Sequence, residues 1–148
     1  MQNIENPTGE LLSEVYRNLK MASENLCSVT PKIDDRFMLR GVTSQLEKYA
    51  EYSKQAASMM RENAVNPKEP SGISKLMARS GIMMNTLVDS SDSHIAEMIV
   101  RGTKMGADKL SETMEKCSGA GCDQRSLDFC RDVINYEINE SNKMKDFT

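Results

Sequence analysis

All four prolines of this 148-residue chain, Pro7, Pro31, Pro67 and Pro70, fall at the edges of long apolar-periodic stretches and never inside one. A proline in a helix interior removes a hydrogen bond and clashes with the preceding turn, at about 3 kcal/mol, so its confinement to boundaries marks out where helices can run. A glycine-rich break, Ser118-Gly119-Ala120-Gly121, adds one more boundary. Between these marks apolar residues recur at steps of three and four, the period of a helix with one buried face. The spacing predicts helices over about 9–28, 34–64, 73–89, 91–117 and 124–146 in a single domain.

The first stripe is Leu12, Val15, Leu19, Ala22 and Leu26, with Thr8 in position to cap it. The second is Leu39, Val42, Leu46, Tyr49, Ser53, Ala56 and Met60, with Asp34 and Asp35 at the start, where negative charge suits the helix dipole. The turn between them, Val29 to Lys32, is short, so the two should run antiparallel. A single helix from 73 to 117 would be about 68 Å long and would overhang its neighbours. The run Asp89-Ser90-Ser91-Asp92-Ser93 favours caps and turns over helix interior and should divide it. The stripe after that break reads Ile95, Met98, Gly102, Met105 and Leu110, and the last helix carries Leu127, Cys130, Ile134, Glu137, Ser141 and Met144. Two long helical hairpins joined by a crossover with its own helix is the plan of the all-α, ferritin-like four-helix bundles. A plain up-down bundle with a kinked third helix is the rival.

Composition narrows the function classes. The 19 Lys and Arg are interleaved with 22 Asp and Glu, for a net charge of −3, so the basic stripe of a nucleic-acid binder is missing. No segment approaches the roughly 18 apolar residues of a membrane span, and Met1 to Pro7 has neither the basic start nor the apolar run of a signal peptide. The expectation is a soluble, cytoplasmic protein whose four cysteines are reduced thiols.

The segment Met83-Met84-Asn85-Thr86-Leu87-Val88-Asp89-Ser90-Ser91-Asp92-Ser93-His94-Ile95-Ala96-Glu97-Met98, continued by Arg101-Gly102-Thr103-Lys104-Met105-Gly106, resembles one shared by ferritin-like proteins of clostridia and related bacteria. The Tyr49 region and the tail Glu137 to Lys145 are similar as well, so the resemblance spans most of the chain. It implies a bundle fold and a bacterial lineage, and no activity.

Ferritin-like di-metal enzymes need a Glu on each of two helices and Glu-x-x-His on the other two. This chain has one histidine, His94. Glu51-Tyr52-Ser53-Lys54 and Glu140-Ser141-Asn142-Lys143 put lysine where histidine is required, and Glu51 should point away from the core. A lysine ammonium repels a metal cation and can instead neutralise a carboxylate. No phosphate loop, nucleophile elbow or catalytic triad is visible.

Some residues could still carry chemistry. Glu137 sits inside an apolar stripe, where a carboxyl needs a partner: a Lys, Arg, Tyr or Ser across the bundle, or a metal or small ligand that Glu140, one turn on, could share. His94 lies at the rim of its stripe and fits either a helix-start bond to Ser90 or Ser91 or, with Met84, Met98 and Met105, a soft-donor set suited to Cu(I). Met-rich bundles otherwise use methionine as core filler. Gly102 and Gly106, four apart, should mark close helix packing or a pocket. Cys117 and Cys122 flank the glycine loop at a spacing unlike the Cys-x2-Cys of zinc sites and could form a redox-sensitive pair. Met77, Met84, Val88 and Ile99 fall off the main stripe, which points to a helix covered on several sides, as in a homodimer. The leading expectation is therefore a non-enzymatic structural or interaction protein with no cofactor. A degenerate metal or ligand site at His94, Glu137 and Glu140 is the first alternative, and thiol redox sensing at Cys117 and Cys122 the second.

Overall fold

The computed structural model describes residues 5–67 and 89–148. These residues form an all-α bundle of four long helices: α1 (Pro7–Val29), α2 (Arg36–Glu62), α3 (Asp92–Gly119) and α4 (Gln124–Met144). The helix expected over 73–89 lies outside the described residues, apart from Asp89, which is non-helical.

Each start has a chemical cause. Asn6, not Thr8, caps α1: its Oδ1 accepts from the Gly9 amide at 3.0 Å, and Pro7 occupies the first helical position, where a missing N–H leaves no orphan. Thr8 lies inside the helix, and its hydroxyl instead accepts from the Asp123 amide at 3.1 Å. Asp35 caps α2 through Met38 N, Ser91 caps α3 through His94 N, and Asp123 caps α4 through Ser126 N. The polar run at Asp89–Ser93 is thus a true break, with α3 starting directly after Ser91. Pro31 sits in a 3-10 turn, Thr30–Lys32, that closes α1.

The same end contacts establish the chain's path. Asp92 at the start of α3 accepts from the backbone amides of Asp34 and Asp35, at 2.9 and 2.6 Å, beside the start of α2. At the opposite end the start of α1 meets the end of α3, where the Cys117 thiol donates to Pro7 O at 3.4 Å. There too Arg125 of α4 pairs with Glu62 of α2 at 2.8 Å. So α1 and α2 are antiparallel, α3 and α4 are antiparallel, and α2 and α3 point the same way. The chain leaves α2 at one end of the bundle and enters α3 at the other.

The core runs between the four helices through Leu11, Leu12, Val15, Leu19, Val42, Ala56, Ile95, Leu110, Cys130 and Val133. An edge-to-face chain of rings, Tyr49–Tyr136, Tyr52–Tyr136 and Tyr52–Phe129, with centroids 5.6 to 6.0 Å apart, joins α2 to α4. The stripes expected for α1, α2 and α4 are the buried or half-buried faces, and all six residues named on α4 are buried. The α3 stripe differs. Gly102 is exposed and Met105 is 66% exposed, while Ile99, Ala107 and Cys117 face inward with Ile95 and Leu110. Ile99 is therefore a core residue and not surplus apolar surface.

Two helices end at the Pro7 end of the bundle in the same C-terminal motif. In α2 the Val65 amide donates to Met60 O at 2.9 Å and the Ala64 amide to Arg61 O at 3.2 Å, with Ala64 at φ +61°. In α3 the Cys122 amide donates to Cys117 O at 3.0 Å, and Gly121 takes the left-handed position at φ +91°. These are Schellman caps, whose left-handed residue is ordinarily glycine because a Cβ is crowded there. Ala64→Gly should accordingly raise stability by about 1 kcal/mol, the strain relieved exceeding the added unfolded-state entropy. A denaturant midpoint that stays the same or falls would refute the strain at Ala64.

Candidate functional site

Glu137 projects from the middle of α4 into the bundle and is 1% exposed. Its partner is an amide, not a cation: Asn18 Nδ2 of α1 donates to Glu137 Oε1. Room for this pair comes from α3, where a Cβ at Gly106 would stand 2.5 Å from Asn18 Oδ1 and 3.4 Å from Glu137 Oε2. The close approach expected at Gly106 is thus real, but onto a polar pair; among the described residues Gly102 has nothing within 4 Å of its would-be Cβ. From α2, Tyr49 completes the level, its phenol held neutral by burial and, next in weight, by the charge of Glu137. One turn along α2, Gln45 is also fully buried. Neither Tyr49 Oη nor Gln45 Oε1 has a hydrogen-bond partner among the described residues.

Burial dominates the electrostatics of the carboxyl. Desolvation pushes the Glu137 pKa from 4.5 up to about 7, against the Asn18 hydrogen bond, which favours the charged form. The bundle centre therefore holds a carboxyl that is close to half-protonated at neutral pH, partnered by the Asn18 amide.

The donor set does not fit a di-metal centre. Glu140 lies one turn from Glu137 but pairs with Lys143 at 3.1 Å. Glu51 is exposed and 3.6 Å from Lys48, and Lys54 is exposed, so the two ligand positions of that tetrad face away from the core. His94 is in the first turn of α3, 35% exposed, with Nδ1 3.8 Å from Glu97 Oε2. It is twelve residues along α3 from Gly106, an axial distance of about 18 Å, so His94 and Glu137 do not share a site. Met105 is exposed, and Met84 lies outside the described residues. No group of three or more His, Cys, Asp or Glu converges among the described residues.

No protein-family model matches the chain, and none of the curated proteins matches its sequence.

A second cluster sits at the Pro7 end. The Schellman cap of α3 places Cys117 and Cys122 at the two positions whose side chains this motif brings together. The Cys117 thiol donates to Pro7 O, and Cys122 neighbours both that thiol and Thr8. Burial pushes Cys117 up to about 12, reinforced by Cys122; it also raises Cys122, which the neighbouring Cys117 and Thr8 side chains pull back. Cys130 of α4, buried beside them, is pushed up to about 12 by the same desolvation. Cys27, an exposed thiol near the end of α1, is remote from this cluster.

Asn18, half-buried, and Gln45, buried, are inward-facing polar residues that the apolar stripes leave out. Their spacing held a signal. Asn18 is three residues after Val15, and Gln45 stands three after Val42 and four before Tyr49, both in phase with the core face.

Proposed function

We propose that this chain is a ferritin-like bundle with a non-enzymatic, structural or interaction role, acting as a cytoplasmic homodimer through its surfaces and not through a metal centre. The observation that carries this reading is the closed polar pair at the bundle centre: Glu137 is answered by Asn18 and capped by Gly106, and among the described residues no group of three or more His, Cys, Asp or Glu converges. The ferritin-like assignment is supported by the path of the chain, in which α2 and α3 run parallel and their connection joins opposite ends of the bundle. A surface role is in keeping with the exposed Phe37, Met105 and Ile138. Among the described residues no helix is long and apolar enough to cross a membrane.

Two measurements test the proposal. Elemental analysis of protein purified without tag or chelator should find no stoichiometric metal. One or two equivalents per chain, lost in Glu137→Gln, would overturn the non-metal reading and restore the ligand site. Light scattering at micromolar concentration should return twice the chain mass, and a monomer would remove the homodimer.

A further inference from the structure

The Cys117–Cys122 pair goes beyond a structural role. Both thiols are free, and the Schellman 6→1 bond between their backbones, 3.0 Å from Cys122 N to Cys117 O, holds the two chain positions close before any covalent link forms. Access is one-sided. Cys122 is half-buried at the edge of the exposed loop 118–121, whereas Cys117 is 2% exposed and turned to Pro7 O. A reagent from solvent reaches Cys122 first, and Cys117 is the buried partner across the same cap, its backbone 3.0 Å away at the Cys122 N to Cys117 O bond.

We propose that Cys122 and Cys117 form an exchange site for low-molecular-weight disulfides, with Cys122 as the attacking thiol and Cys117 as the resolving thiol. In the first step the Cys122 thiolate attacks one sulfur of R–S–S–R. A protein–S–S–R bond forms, the S–S bond of the reagent breaks, and the leaving RS⁻ takes the proton that Cys122 gave up. In the second step the Cys117 thiolate attacks the Cys122 sulfur. The protein disulfide forms, the second RS⁻ leaves and is protonated in turn. Two protein thiols are oxidised, one small disulfide is reduced to two thiols, and no other reactant enters.

The order of attack has an electrostatic counterpart. The neighbouring Cys117 thiol favours the thiolate on Cys122, whereas Cys122 opposes it on Cys117. Because burial still raises Cys122 above its ordinary value, the thiolate is a minor species at neutral pH. The exchange rate should then climb about tenfold per pH unit between pH 7 and 8, following the thiolate fraction.

The test uses the full chain carrying Cys27→Ser, which removes the exposed unrelated thiol, treated with oxidised glutathione and read by intact mass and peptide mapping. The expected product has lost two hydrogens, with the disulfide mapped to Cys117–Cys122. In Cys117→Ser the protein should instead stop at one bound glutathionyl group on Cys122, and Cys122→Ser should give neither product. A pair that stays reduced, a disulfide mapped to Cys130, or an adduct on Cys117 would each overturn the proposal. The mapping on otherwise unaltered protein decides the matter even where a cysteine variant folds poorly.

Discussion

Glu137→Gln should stabilise the protein by about 3 kcal/mol more at pH 8 than at pH 4. The folded pKa is about 7 and the ordinary value 4.5, so the folded state binds the proton more tightly than the unfolded chain. Below pH 4.5 both states carry the proton and the group contributes nothing to the pH dependence. Between pH 4.5 and 7 the unfolded chain ionises while the folded one resists, and stability falls. Above pH 7 the loss is complete and constant, at about 3 kcal/mol for a gap of this size. Glutamine keeps the oxygen that accepts from Asn18 and never ionises. Its new amide hydrogens need an acceptor, a fixed cost that cancels when the variant is compared with the parent at two pH values. Denaturant midpoints at pH 4 and pH 8 supply the comparison. A difference between variant and parent that is the same at both would mean that Glu137 titrates normally and is not desolvated as the packing indicates.

That carboxyl was visible in the amino-acid sequence because α4 carries an unambiguous stripe. Leu127, Cys130, Ile134, Ser141 and Met144 set the phase, and Glu137 falls in it. The caps and breaks were legible for a related reason: proline, serine and aspartate act through local backbone chemistry that needs no tertiary context. Thr8 is the exception that shows the limit. It is a good capping residue, but Asn6 followed by Pro7 makes the better start, and Thr8 is spent on the Asp123 amide far along the chain.

The phase of α3 was not legible. Its inward face is built partly of small residues, Ala96 and Ala107, which are buried, and Gly106, half-buried, covered because neighbouring helices press against them and not because they are strongly apolar. Met105, larger and more apolar, ends up in solvent. Hydropathy ranks these residues in the wrong order, and only the neighbouring helices settle which face is covered. The same logic hid Asn18. Its spacing from Val15 puts the amide in phase with the core face of α1, but its partner, a carboxyl from α4, is set only when the helices pack.

Gly106→Ala isolates this packing. Alanine is favoured over glycine in a helix interior by about 1 kcal/mol, so at a position such as Gly102, which has nothing within 4 Å among the described residues, the substitution should be stabilising. At Gly106 the added Cβ would stand 2.5 Å from Asn18 Oδ1, and the amide must move. Moving it strands a buried carboxyl without its donor, which costs about 1–3 kcal/mol and more when the carboxyl is ionised. Gly106→Ala should therefore destabilise by about 2 kcal/mol at pH 8, and by less at pH 4, where Glu137 is neutral. Combined with Asn18→Ala the obstruction is gone, and Gly106→Ala should then recover its stabilising sign. A double-mutant cycle at pH 8 reads the coupling directly. If Gly106→Ala is stabilising by the same amount whether or not Asn18 is present, the glycine is not there for the polar pair, and the bundle centre is looser than the contact of α1, α3 and α4 around Glu137 implies.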